Sequence, residues 1–194
     1  MQTFFSLRGM CAGMLLASAA VWAPLAQAAK LETELQRFIQ LYRPGEMASH
    51  MVAQVVKAGH QRGEISAARK DCLLEKLNPG LMNQAALIVA RERFGNLARL
   101  QRINEFLESS TGRKMIDLTS QQFSTPGAQD FSKEYDAGNV MRQMSAKELE
   151  EIGAFEKLPE YADFSNYVNH GLQQINQNPQ VQALIRDALK NCQP

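Results

Sequence analysis

The sequence predicts an all-α fold, and three observations carry that prediction. Apolar residues recur at helical spacing along most of the chain, no segment sustains the period-two alternation of a half-buried strand, and Ser, Asn or Pro precedes most of the apolar runs as a helix opener. The reading is a single domain of about seven to nine helices built from packed αα-hairpins, with signs of an internal duplication.

The chain opens on MQTFFSLRGMCAGMLLASAAVWAPLAQA, with one early charge at Arg8, an apolar run from Met10 to Val21 and the small-residue site Ala26-Gln27-Ala28. This is the pattern of a secretory leader cleaved after Ala28. It divides the chain into a leader, 1–28, and one domain, 29–194. The apolar run is too short to cross a bilayer comfortably, and no later stretch approaches a membrane-spanning length. Cys11 does not read as a lipid-anchor site, because Arg8 sits three residues before it and no apolar stretch precedes it. The expected location is the periplasm or the exterior of a bacterial cell.

The leader holds one of the 21 Lys and Arg residues and none of the 20 Asp and Glu, so the remainder is electrically balanced. Balance argues against nucleic acid or a strongly anionic surface as the main partner. Cys72 and Cys192 remain after cleavage, and in an oxidising compartment an even pair reads as a disulfide rather than as two free thiols. No Cys-x-x-Cys supports an exchangeable redox pair.

The helices follow in order. Leu31, Leu35, Phe38, Ile39 and Tyr42 form a stripe that Pro44-Gly45 stops, and Glu46 to Ala58 carries Met47, Met51, Val52, Val55 and Val56 before GHQRG ends it. Ser66 caps residues 67 to 77, with Cys72, Leu73 and Leu77 on the apolar face. Asn78-Pro79 opens a helix running to about Phe94, and Asn96 caps one bearing Leu97, Leu100, Ile103, Phe106 and Leu107. A new helix starts at Ser109 or Ser110 and runs through Met115 and Ile116 towards Phe123. STPGAQD (124–130) is the strongest break and a candidate sub-boundary, and residues 131 to 144 carry no clear pattern. Ser145 with Glu148 makes a capping box for Leu149, Ile152 and Phe155. Pro159 starts a long helix with Tyr161, Phe164, Val168, Leu172 and Ile175, and Asn178-Pro179 opens the last, with Val181, Leu184, Ile185, Ala188 and Leu189.

A shift of 49 positions lays Asn96 on Ser145, Leu100 on Leu149, Ile103 on Ile152, Phe106 on Phe155, Ser110 on Pro159 and Met115 on Phe164. Caps meet caps, and apolar positions meet apolar positions. Phe106, Ser109, Ser110 and Gly112, with Phe155 and Pro159, therefore read as structural joints: a buried ring ends one helix, a cap or proline opens the next, and Gly112 permits close packing.

These two stretches resemble a family of secreted bacterial proteins catalogued as domain of unknown function 2059. SAKELEEIGAFEKLPEYADF (145–164) is similar to its acidic-capped half, and FLESSTGRKMIDL (106–118) to its Phe-x-x-Ser-x-x-Gly-x-Lys half. The first copy has Ser110 where the family has Pro, and the second has Leu158 and Tyr161 where it has Ser and Gly. The resemblance covers about 70 residues, implies an all-α secreted fold and transfers no catalytic residue.

Candidates for chemistry are few. SSTGRK could hold an anion at a helix N-terminus, but no strand precedes it, and a joint with solvated Arg113 and Lys114 explains it better. Met47, Met51 and Met82 with His50 and His60 are residue types that bind copper, yet methionine at helical spacing is normally core. His50, His60 and His170 lack zinc-site spacing. Arg91, Arg93, Arg99 and Arg102 read as a solvated face with Glu92 and Glu105 interleaved, and Glu150-Glu151 as a polar helix face. Gly-x-Ser-x-Gly, Ser-x-x-Lys and His-Glu-x-x-His are absent, so no catalytic residue, cofactor or metal is expected.

Two functional readings follow. The first is a soluble envelope module that binds another envelope protein or itself, laying a partner helix along grooves between hairpins. The second is a carrier of a small apolar ligand between helices, motivated by Phe155, Tyr161, Phe164 and Tyr167, whose simpler role is core. Trp22, the only tryptophan, leaves with the leader, so the exported protein is expected to emit as a tyrosine-only protein. Tryptophan emission from material isolated from the envelope would refute cleavage after Ala28.

Overall fold

The computed structural model describes residues 14–124 and 137–192, and the expected break at 124–130 lies, beyond Ser124, outside them. The described residues form ten helices and no strand: α1 (Met14–Tyr42), α2 (Pro44–Gln61), α3 (Ala67–Lys76), α4 (Pro79–Arg93), α5 (Leu97–Glu108), α6 (Ser110–Ser124), α7 (Ala137–Arg142), α8 (Ala146–Glu156), α9 (Pro159–Gln177) and α10 (Pro179–Leu189). Nine correspond to the helices the sequence predicts. The tenth, α7, is six residues long and falls in the stretch whose pattern was unreadable, being too short to show a helical period.

The caps form where the residue types place them. Ser66, Asn78, Asn96 and Ser145 each accept the amide of the residue three positions on, and Asn178 accepts those of Gln180 and Val181. Each satisfies donors that a helix start leaves unpaired. The first stop differs from expectation. Pro44-Gly45 does not merely end α1 but opens α2, with Arg43 in the left-handed region at φ 54° making the corner. Pro44 can do this because its missing N–H is not needed at the first helical position. Gly45 donates to Asn83 Oδ1 at 2.9 Å, and a Cβ there would stand 2.4 Å from the Pro79 carbonyl oxygen, so only glycine lets α2 lie this close to α4.

α4 is the central strut, touching α1, α2, α9 and α10. Ala85, Ala86, Val89 and Ala90 are almost wholly buried, and the three alanines keep its surface thin enough for neighbours on several sides. Phe38 of α1, fully buried, meets Phe94 (ring centroids 4.9 Å apart) and Tyr167 (5.1 Å) edge to face, and stacks on Tyr42 (5.6 Å). Such ring pairs add about 0.5–1.5 kcal/mol each beyond the area they bury. α1 is exposed over residues 26–30 and begins to pack at Leu31.

α3 is the outlier. It buries no residue fully and packs chiefly along α2 and the edge of α10. The Cys72–Cys192 disulfide, with Cα atoms 5.6 Å apart, ties it to the chain's C-terminal end across 120 positions. A bridge closing so long a loop is worth on the order of 4 kcal/mol in the chain-entropy account. Replacing both cysteines by serine is expected to lower the unfolding free energy measured in urea by that amount and to raise amide exchange in α3 before any other helix. Unchanged exchange in α3 would refute the tether.

Candidate functional site

The site is built where the two similar hairpins, α5–α6 and α8–α9, face each other. Ser109 settles the joint between α5 and α6: its Oγ donates to the Phe106 carbonyl (2.7 Å) and accepts the Gly112 amide (3.0 Å), so it caps α6, while Ser110 is the first helical residue. At Gly112 an added Cβ would lie 2.1 Å from the Phe106 carbonyl oxygen and 2.8 Å from Leu107 Cα. The turn is that tight. In the second copy Pro159 is the first residue of α9, matching Ser110.

The 49-residue echo is also spatial. Phe106 and Phe155 stack on each other, centroids 4.0 Å apart and 4° from parallel. Thr111 on α6 donates to Glu151 on α8, and the equivalent residues, Glu160 on α9 and Arg102 on α5, form an ion pair at 2.5 Å. Lys114 on α6 meets Glu148 on α8 at 2.7 Å, and their equivalents, Asp163 and Arg99, meet at 3.2 Å. Contact for contact, this is the reciprocity of a two-fold axis, and it passes between the two phenylalanines.

Sequence reasoning missed most of these partners. Arg99 and Arg102 face acids on α9, and Arg91 makes a two-pronged contact with Glu32 of α1, so the basic face, exposed as expected, also ties helices together. Glu151 is half-buried against Thr111, and Lys114, though partly exposed, is paired with Glu148. Partners of opposite charge 49 ± 15 positions away leave no local pattern.

Beside the axis lies a cavity of about 480 Å³. Its deep wall is apolar: Met47, Met82, Ala86, Ile116, Ile152 and Phe164 are buried and line it. Phe106 and Phe155 line it as a stacked pair. Met51, Met115, Phe123 and Met141 close the side towards α2, α6 and α7. Tyr42, Tyr161 and Tyr167 add rings, and the Tyr167 hydroxyl donates to the Ala86 carbonyl at 3.2 Å; burial, and after it Tyr42, pushes that phenol well above its ordinary range. The polar lining is Thr119, Glu156, Ser165 and Asn169.

The aromatic strip Phe155, Tyr161, Phe164 and Tyr167 therefore serves both core and cavity wall. Of the copper candidates, Met47, Met51 and Met82 line the cavity, while His50 is exposed and His60 Nδ1 contacts the Ile65 carbonyl at 2.8 Å. No group of three or more His, Cys, Asp or Glu suited to a metal occurs among the described residues. No described helix is long and apolar enough to cross a membrane. No protein-family model, curated protein or solved structure matches the chain.

Two predictions follow from this geometry. Gly112→Ala is expected to cost roughly 3 kcal/mol in urea unfolding, because backbone rather than a movable side chain blocks the new Cβ; a loss within the range of Gly153→Ala, where a Cβ would meet open space, would refute the close contact. The Glu148 carboxyl, held by the Lys114 ammonium and the Ser145 amide, is pushed down from the ordinary 4.5 to about 2. A lowered folded value means stability that is full above the ordinary value and is lost as pH falls towards 2. Glu148→Gln is expected to flatten the acid limb of stability against pH, and an unchanged slope would refute the assignment.

Proposed function

We propose that the chain binds an apolar small molecule in the cavity between the hairpins. One observation carries the reading: a half-open cleft of about 480 Å³, walled by methionine and aromatic side chains with a few polar groups, falls in the size and composition range of small-molecule sites. Methionine suits such a wall, since its flexible thioether conforms to ligands of differing outline. The alternative, an envelope module that docks a protein helix, has less support, because the exposed large apolar residues Val55, Leu149 and Leu158 stand on separate helices or turns rather than in one described patch.

The setting we infer is the bacterial envelope after leader cleavage near Ala28. The disulfide and the exposure of residues 26–30 ahead of the first packed residue support it. Membership in the domain of unknown function 2059 family is part of the same proposal, supported by the motif and by the way Phe106, Ser109 and Gly112 use it to build a joint.

Two experiments test the reading. Gentle native mass spectrometry of protein isolated from its host is expected to show an added apolar species, and the stripped protein to bind the neutral probe N-phenyl-1-naphthylamine. Thr119→Trp, which places a large ring in the cavity from a half-buried lining position, is expected to weaken the probe by about tenfold or more. Bare mass together with no probe binding would overturn the proposal.

A further inference from the structure

We propose that Glu156, Ser165 and Asn169 form a head-group subsite at the cavity rim, and that the ligand is an amphiphile whose polar end is an amine rather than an anion. The inference rests on the cavity reading above and adds the ligand's chemical class.

The cavity is polarised. Its buried lining is apolar, while Glu156 and Asn169 are exposed and Ser165 is half-buried, so the polar groups collect where a ligand's end would meet water. Ser165 and Asn169 lie one turn apart on α9, with the Asn169 amide donating to the Ser165 oxygen at 3.1 Å. That leaves the Asn169 carbonyl oxygen and the Glu156 carboxylate as acceptors at the rim. Tyr161, also lining, stands edge-on to Phe155 at 5.6 Å and offers a ring to a cation.

The sign of the charge decides between head groups. Glu156 is the one ionisable acid or base other than tyrosine among the described lining residues, and no Lys, Arg or His is among them. Arg43, beside the lining residues Tyr42 and Pro44, is engaged by Asp117 and Glu46. A carboxylate or phosphate head would therefore enter against a negative charge with no counter-ion in the described wall, whereas an ammonium would meet an acceptor, a carboxylate and a ring.

The two-fold relation shows where the hairpins differ. Glu156 occupies the position equivalent to Leu107, and Ser165 that equivalent to Ile116, both of which are buried core residues, 1% and 2% exposed. The second hairpin thus carries polar groups at two positions where the first carries core, and both face the cavity. Leu107 lies on α5, which packs along α1, whereas among the described residues no counterpart of α1 is packed along α8; the second hairpin is thus free to carry polar groups at these positions, and both line the rim.

The test uses the disulfide-intact protein at about pH 7.5, where alkylamines are cationic and fatty acids anionic. Dodecylamine, 1-dodecanol and dodecanoate share one chain and differ at the head; each is measured by displacement of N-phenyl-1-naphthylamine at low salt. Dodecylamine is expected to bind roughly fivefold or more tighter than dodecanoate, with the alcohol between, and Glu156→Gln to shrink the gap to about twofold. Glu150→Gln, on an exposed position of α8 outside the cavity, controls for overall charge and is expected to keep the gap. Equal binding of all three chains, a preference for dodecanoate, or a gap that survives Glu156→Gln would overturn the head-group assignment alone. Failure of the probe and all three chains to bind would overturn it together with the cavity reading.

Discussion

The stacked rings of Phe106 and Phe155 fix the geometry on which the rest of the molecule depends. Each ring ends a helix whose successor must turn back within about three residues, and the turn is possible at Gly112 because no side chain stands between it and the Phe106 carbonyl. Once the rings are face to face, α6 is held against α8 and α9 against α5, and the pairs Thr111–Glu151, Arg102–Glu160, Lys114–Glu148 and Arg99–Asp163 close around the axis. Glu160 is almost wholly buried, so its pairing with Arg102 is a condition of the fold more than an addition to it: a buried charge deprived of its partner costs several kcal/mol, on the order of 3–5.

The same constraint leaves a space. Helices α2 and α4 approach closely through Gly45 and the alanines of α4, whereas a cleft lined by Met47, Met82 and Phe164 lies between α2 and α9. The resulting cleft of about 480 Å³ is half-open, so the methionine and aromatic side chains of its wall face a space that no described helix fills.

Much of this was legible in the sequence, and the failures have physical causes. Caps are local, so Ser66, Asn78, Asn96, Ser145 and Asn178 could be read from residue type and spacing alone. The helical period revealed nine helices and their buried stripes, and it missed α7, which spans fewer than two turns. The ties made by Arg91, Arg99 and Arg102 were read as solvated charge because the partners lie 58 to 64 positions away or on another helix. The cavity was invisible for a subtler reason: Met47, Met51 and Met82 at helical spacing look the same whether the space they face is filled by a neighbouring helix or left open. Only the packing of the helices around the stacked Phe106 and Phe155, which themselves line the cavity, distinguishes the two.

The charges around the axis are sorted by hairpin. In these cross-contacts the first hairpin contributes Arg99, Arg102 and Lys114, and the second contributes Glu148, Glu151, Glu160 and Asp163. Were two first hairpins to meet in the same geometry, Arg99 would face Lys114; were two second hairpins to meet, Glu148 would face Asp163 and Glu151 would face Glu160. Like therefore repels like, and only unlike halves fit. During folding at high concentration, when hairpins of neighbouring chains are within reach of one another, this sorting removes the first-with-first and second-with-second encounters and leaves only unlike pairings to compete.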